Sequence, residues 1–526
     1  MKPNHFLSSI FNKSQTTTSS VETIATLNST PVFFLGSIGL QNGGLTNATF
    51  MRANLFSEYL NEVPILTINF HRNFNEIVQA QYNRGSLNNN VTVYNLFRDL
   101  DPKRDLPLTP HDRLTYEDHL NEEGYVRYED KDSKIKAFRF FKEGIYTKYK
   151  RFDEEQRIIS IDYFTESWVR IKQEVFDESG NLVKTRHMDV NKNKPKLDRY
   201  FSRDGSCYLT VALNVDTGVN TKFFLHSPVP KEFKNMDSIL AFWLNTKVKE
   251  YPNPALFCEK REHVAILKEV QHPDLTRYFV LHNNHFAFPH TKGASVDPSC
   301  TPLFSNLDIF EKVIILTDEQ KGDIVEQFGN QEKFKVIPHI AEPVENVGTD
   351  YKKHHAVTMG RYAHQKALHE AIHAFKFVVD EIPDATYSIY GYGELKDDLQ
   401  KLINELGLKK NVFLEGFTLN SIKNYQESAC SILTSKYEGL PLTLTESLAA
   451  GTPIVSYRIK YGPEDIIRDG IDGFLVDAGD RKGLAKSIVK IMNDPSLRNT
   501  LSINGQDITE RYSFEKYKQK WLEVFQ

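Results

Sequence analysis

Cysteine is scarce in this chain of 526 residues: Cys207, Cys258, Cys300 and Cys430 lie far apart and form no C-x-x-C pair. That spacing excludes a disulfide scaffold and a zinc ribbon, and it fits a reducing compartment. Neither sign of charge is in excess. Lysine plus arginine number 65 against 69 acids, a formal net charge of −4. No global basic field exists to hold nucleic acid, although a local basic cleft stays open. Long apolar runs are missing too, since none approaches the roughly 20 residues that cross a bilayer. The opening MKPNHFLSSIFNKSQTTTSS breaks its short apolar patch with a Ser/Thr-rich stretch and makes a poor signal peptide. What is present is an ordinary globular composition, 40% hydrophobic, 25% charged and 12% aromatic. The length suits about two to four domains. The expectation is a soluble, cytoplasmic, multidomain protein, with at most peripheral association with the inner face of a membrane.

Residues 1–30 are polar and low in complexity and read as a flexible tail. Strand and helix then alternate: VFFLG at Val32–Gly36, a helix over Leu45–Tyr59, a strand at Val63–Asn69, a helix near Asn75–Asn83 and VTVY at Val91–Tyr94. This rhythm predicts a parallel sheet with crossover helices. Past residue 100 the texture changes to short aromatic and β-branched runs such as KAFRFF, RIISIDYF and CYLTVAL, punctuated by turns like Asp177–Asn181. That pattern predicts an antiparallel meander inserted over residues 101–224. The α/β rhythm resumes with a helix near Met236–Glu250, strands at Tyr278–Leu281 and Val313–Leu316, and a helix over Asp318–Phe328. Pro338–His354 looks like a linker. Beyond it the helical spacing of Leu368, Ile372, Phe375 and Val379, and of Leu395, Leu399, Leu402 and Leu406, alternates with strands to predict a doubly wound sheet of about six parallel strands.

Four segments after strands carry candidate chemistry. Glu438 and Glu446 stand eight apart in EGLPLTLTE, the first on a loop past a strand and the second about a turn into a helix whose N-terminus can receive phosphate. On spacing alone they are equally an ordinary acidic residue at a helix start and a solvated helical glutamate. Arg361 and Lys366 in GRYAHQK follow a strand, where a donor fork and a point charge can converge on a diphosphate, or simply occupy a surface loop. Gly391 and Gly393 follow a further strand and leave room for a ligand against the backbone, and Gly43 and Gly44 after the first strand offer amides to a phosphate. Either glycine pair alone is a weak signal. Asp99-x-Asp101 and Asp130-x-Asp132 match a metal-binding D-x-D pattern, but both sit in charged connecting stretches and read as solvated.

Taken together, the E-x₇-E pair, the GR-x₄-K segment, Gly391-x-Gly393 and the GTPIV strand after Gly451 resemble the family-4 retaining glycosyltransferases over roughly residues 355–510. In the N-terminal half, NGGLT at Asn42–Thr46, Val280-Leu281-His282, Asp465 within YGPEDII and the β-rich insertion look like the bacterial enzymes that α-glycosylate wall teichoic acid. A related group glycosylates serine–aspartate repeats of surface adhesins. The resemblance implies an α/β protein of the GT-B fold, two Rossmann-like domains facing a cleft with an antiparallel β-rich insertion in the N-terminal one. On that expectation, residues 31–100 and 225–340 form the acceptor domain, 101–224 the insertion that oligomerises as a homotrimer, 341–510 the nucleotide-sugar domain and 511–526 a terminal helix.

The resemblance also implies roles. Arg361 and Lys366 would stabilise the β-phosphate of a departing UDP in place of a metal, so no metal or other cofactor is expected. Glu438 would contact hydroxyls of the donor sugar and Glu446 those of the ribose. Gly439, Leu440, Pro441 and Leu442 would meet the sugar or phosphate, and Gly43, Gly44, Gly391 and Gly393 would complete the donor site. His282 corresponds to a histidine near the transferred sugar, with His285 a less certain neighbour. The partners implied are UDP-glucose or UDP-N-acetylglucosamine and an anionic polyol-phosphate polymer, with a serine–aspartate acceptor as the alternative and no nucleic acid. A noncatalytic GT-B scaffold or chaperone is disfavoured because Arg361, Lys366, Glu438 and Glu446 are all present.

Overall fold

The computed structural model describes residues 27–106, 114–345 and 350–525. Most of the predicted tail, residues 1–26, lies outside them. The chain divides into two compact units, residues 1–258 with 263–276 and residues 259–262 with 277–526.

In the first unit, four parallel strands run in the order Pro254–Cys258, Thr30–Leu35, Val63–Thr67, Val91–Asn95. The three strands Pro254–Cys258, Thr30–Leu35 and Val63–Thr67 are buried along their whole length, which is why they read as continuous apolar runs rather than alternating ones. The strand Pro254–Cys258 had no counterpart in the sequence reading. Helices Gly44–Phe56, Phe74–Asn83 and Met236–Val248 belong to the same unit.

The insertion forms a ten-stranded antiparallel sheet whose spatial order follows the chain, from Tyr125–Glu129 at one edge to Lys231–Phe233 at the other. The meander expected from the turn spacing is therefore present. One end of it has its own small core, in which Leu120, Phe138, Phe140, Phe152, Ile158 and Ile161 are buried. The other end is tied to the parallel strands, where Tyr208 donates to the Phe97 carbonyl at 2.8 Å and the rings of Phe97 and Tyr200 lie 4.7 Å apart. The D-x-D carboxylates are not solvated as a group. Asp99 is half-buried and accepts from Arg104 and from Trp243 Nε1 at 2.9 Å, with Lys247 at 3.7 Å. Asp130 accepts from Tyr149 at 2.7 Å and Arg139 at 2.8 Å, so only Asp132 is fully exposed. Asp99 was misread because Trp243 and Lys247 are remote in sequence.

In the second unit, the short parallel set Thr276–Leu281, Lys312–Ile315, Phe334–Val336 precedes the helix-rich part. The six-stranded parallel sheet then runs in the order Val412–Gly416, Thr386–Tyr390, Lys352–Met359, Ser428–Leu433, Ile454–Arg458, Gly473–Asp477. Leu368, Ile372 and Phe375 of the helix Leu368–Glu381 are buried against it, as their spacing predicts. The C-terminal helix covers Phe514–Leu522 and is anchored by buried Trp521.

Loops after neighbouring strands pack backbone on backbone. Gly360 N–H donates to Tyr390 O and Tyr362 N–H to Tyr392 O, both at 2.9 Å. A Cβ on Gly391 would stand 1.8 Å from Gly360 O, and one on Gly393 would stand 2.4 Å from Tyr362 O. These glycines make room for chain against chain. Likewise a Cβ on Gly439 would fall 2.1 Å from His282 O, so the loop carrying Glu438 lies directly on the loop carrying His282. Gly391→Ala meets that clash and a φ of +151° together. It is expected to lower the melting temperature by roughly 5 °C or more. Calorimetric melting of the two proteins checks this, and a melting temperature within about a degree of the parent would contradict the packing argument.

Candidate active site

The turn after strand Lys352–Met359 displays the two predicted cations differently. Arg361 is exposed and makes one long hydrogen bond, to Gln365 Oε1 at 3.3 Å. Its guanidinium is thus available to an incoming anion. Lys366 closes the 3₁₀ turn His364–Lys366 and is mostly covered, with Nζ 2.6 Å from Glu438 Oε1. A half-covered ammonium in contact with a carboxylate is a charge-assisted pair, which holds both side chains in one geometry.

Glu438 is 7% exposed and is held from several sides. Ser435 Oγ donates to Oε1 at 2.6 Å, Gln365 Nε2 reaches Oε2 at 3.4 Å, and the Glu438 amide donates to Lys460 O at 3.1 Å. Gln365 also binds its neighbour's backbone, Nε2 to Tyr437 O at 3.0 Å, so the lysine turn and the glutamate loop are stitched together. Ser435 and Gln365 were not singled out from sequence. Both flank predicted residues, but neither has a spacing that announces it.

Past Gly439 and buried Leu440, Pro441 caps the helix Leu442–Ala449 with no side-chain hydrogen bond at the cap. The Leu444 amide donates to the Pro441 carbonyl at 3.0 Å, and the amides before it, at the helix N-terminus, can meet an anion or a hydroxyl. Glu446 lies one turn in and is half-buried. Burial, with the Glu342 carboxylate nearby, pushes its carboxyl up to about 7. Burial pushes Glu342 up as well. The two predicted glutamates thus differ in kind: Glu438 is matched by a cation, whereas Glu446 is desolvated beside another acid.

His282 follows strand Thr276–Leu281, with Nε2 hydrogen-bonded to Glu259 Oε2 and its ring stacked on His339 at 5.6 Å between centroids. The Glu259 side chain is fully buried, where a carboxylate needs hydrogen-bond partners, and His282 is one of them. Glu259 escaped the sequence reading because the strand that delivers it, Pro254–Cys258, was not recognised. His285 takes another role. It is fully buried against Phe286, Phe304 and Tyr461, and burial lowers its imidazole to about 4, so it is a neutral core residue. Asp465, in the short helix Pro463–Ile466, is pushed up to about 6 by burial and by Glu319. In the first unit, Gly43 caps the helix beginning at Gly44, and a Cβ on it would meet nothing within 4 Å. Unlike Gly391, it faces open space. Among the described residues, no cluster of three or more His, Cys, Asp or Glu side chains is arranged to hold a metal.

Residues 342–508 match the family described as glycosyl transferases group 1, and residues 32–219 match glycosyl transferase 1 domain A. A poly(glycerol-phosphate) α-glucosyltransferase of Bacillus subtilis is 27% identical over 503 residues, covering 93% of this chain and 74% of the relative. A poly(ribitol-phosphate) α-N-acetylglucosaminyltransferase of Staphylococcus aureus is 26% identical over 492 residues, 93% of this chain and 98% of that one. The crystal structure of an S. aureus TarM variant with fondaparinux, α-GlcNAc-glycerol and UDP superimposes with a TM-score of 0.81 at 23% identity, covering 94% of this chain and 99% of that one. With the motif residues gathered on adjoining strand-end loops and a glycosyl transferase segment matched in each half, the chain has the GT-B fold.

Proposed function

We propose that the protein is a retaining α-glycosyltransferase. It moves glucose or N-acetylglucosamine from a UDP-sugar to hydroxyls of a poly(glycerol phosphate) or poly(ribitol phosphate) wall teichoic acid, on the cytoplasmic side of the membrane. The observation that carries this is the Lys366–Glu438 contact at 2.6 Å beside exposed Arg361, in a chain similar along 93% of its length to two polyol-phosphate α-glycosyltransferases.

The reaction breaks the bond between the anomeric carbon and the β-phosphate oxygen and forms one to the acceptor oxygen on the same face. Charge grows on the departing phosphate, and fixed cations help most where charge develops. Arg361 and Lys366 supply them, so the leaving group needs no metal. The acceptor proton passes to a phosphate oxygen, and no carboxylate nucleophile is required. Glu438, already oriented by Ser435 and Lys366, accepts from sugar hydroxyls. Glu259 fixes the ring of His282 toward the transferred sugar, and Glu446 accepts from the ribose.

Turnover with UDP-glucose and UDP-N-acetylglucosamine, against purified teichoic acids and a serine–aspartate peptide, tests the assignment. Arg361→Ala and Lys366→Ala are each expected to lower the rate about a hundredfold or more, while activity persists in excess EDTA. Near-normal rates in both variants, or manganese rescue after complete loss in EDTA, would overturn the cationic leaving-group role.

Glu446 makes donor affinity depend on pH. Burial pushes its carboxyl up to about 7, and the carboxylate is the stronger acceptor for ribose hydroxyls, so UDP-glucose binds more tightly as pH rises from 6 to 8. The diphosphate of UDP-glucose is a diester and does not titrate in this range. Calorimetry should show this gain in the parent and its loss in Glu446→Gln.

The insertion assembles the protein as a homotrimer. Its edge strand Tyr125–Glu129 has one side unpaired among the described residues and carries Val126 and Tyr128, 60% and 59% exposed. An open strand edge with apolar side chains is an adhesive surface. Three sites on one polymer raise the effective acceptor concentration. Light scattering is expected to give three copies for the parent and fewer for Val126→Glu/Tyr128→Glu. A monomeric parent at micromolar concentration defeats the assembly without touching the chemistry.

A further inference from the structure

Strands Val63–Thr67 and Val91–Asn95 of the first unit end beside a hollow with Phe70, Phe97 and Tyr208 in its lining. The turn Asp177–Asn181 of the insertion contributes a wall, and Arg72, Arg98, Arg104 and Arg203 line the rest with His71. A second hollow shares Asn75, Asn95, Arg98 and Arg104 with the first, so Arg98 stands between the two. The C-terminal ends of parallel strands are where ligands of doubly wound sheets lie.

The charges here are unevenly matched. Arg72 lies 3.5 Å from Asp153, and Arg104 is paired with Asp99. Arg203 donates to the Leu106 carbonyl at 2.7 Å and has no carboxylate partner among the described residues. Arg98 is half-buried over the Phe74 ring at 5.4 Å, with no ion pair among the described residues. Burial lowers its guanidinium, Glu178 pulls the other way, and Arg203 and Arg104 add repulsion. The lining acids are occupied: Glu178 accepts from Asn75 at 2.7 Å, Asp177 from Asn181 at 2.9 Å and Asp101 from the Lys103 amide at 3.0 Å. His71 shares a hydrogen bond with Ser37 at 2.7 Å, and burial lowers its imidazole, so it adds no charge near neutral pH. Arg98 therefore feels the charge of Glu178 and Asp105 but makes no ion pair with either, and an arriving anion gives the desolvated guanidinium a direct partner.

We propose that this hollow is an acceptor subsite in which Arg98 and Arg203 hold a phosphodiester of the polyol-phosphate chain. The proposal rests on the acceptor class assigned above. A guanidinium fork fits a phosphodiester's two free oxygens, and exposed Asn75 meets the polyol hydroxyls. The adjoining hollow continues the track for the next repeat.

The test uses the full chain and a synthetic glycerol-phosphate hexamer, with binding measured by calorimetry and transfer measured with the UDP-sugar that supports turnover. Arg98→Gln and Arg203→Gln are each expected to weaken hexamer binding and raise acceptor KM about tenfold or more, with kcat changed far less. Arg98→Lys recovers part of the loss, and salt weakens parent binding more than variant binding. UDP affinity reports that the variants are folded. Turnover with parent-like acceptor KM in both Gln variants overturns the subsite and leaves the teichoic-acid reading standing. Transfer only to the serine–aspartate peptide overturns that reading, and a parent that does not bind the hexamer overturns the subsite as well.

Discussion

Backbone lying directly on backbone is the constraint from which the site's geometry follows. Gly391 and Gly393 let the loop after one strand rest on the Gly360–Tyr362 segment after its neighbour, and Gly439 lets the glutamate loop rest on the carbonyl of His282. Where no side chain separates two loops, their relative position is set to a few tenths of an ångström by hydrogen bonds and contact distance. Lys366, Glu438 and His282 are then held close without depending on long side chains to find one another. Preorganisation of this kind is what electrostatic catalysis needs, because the cations must be in place before charge develops.

Within that frame the buried charges divide into matched and unmatched. The fully buried Glu259 side chain has His282, and Lys460 has Glu319 and Asp323 at 2.5 and 2.8 Å. Lys366 has Glu438, and the pair keeps each of the two charges satisfied. Glu446 and Glu342 stand apart from this pattern as neighbouring carboxyls raised by burial. Retaining them costs stability, because burial disfavours the ionised form of each.

The alternation of strands and helices was readable because parallel strands are continuous apolar runs and helices repeat every three to four residues. Leu368, Ile372 and Phe375 show it, each buried as its spacing demands. Arg361, Lys366 and Glu438 were legible as a motif in order along the chain. Residues defined by remote partners were not. Asp99 looked solvated because Trp243 and Lys247 are far downstream, and Glu259 could not be seen without the strand before it. Gly391 and Gly393 were recognised as special, but the reason is protein backbone at 1.8 and 2.4 Å, which only a folded neighbour supplies.

An anionic polymer poses a particular difficulty for a chain with a net charge of −4. A repulsive overall balance cannot draw such an acceptor in, and beyond a Debye length of about 8 Å at physiological salt the net charge hardly acts. Attraction must therefore be local, from cations whose counter-charges have been withheld. Arg361 is one, exposed and bonded only to a neutral amide, and Arg98 is another, half-buried with its nearest acids occupied elsewhere. Most of the 65 basic side chains are offset by 69 acids. On the proposed reading, attraction for a phosphodiester then comes from the few guanidiniums that make no ion pair among the described residues, Arg361 on the surface and Arg98 half-buried, rather than from a broad basic field.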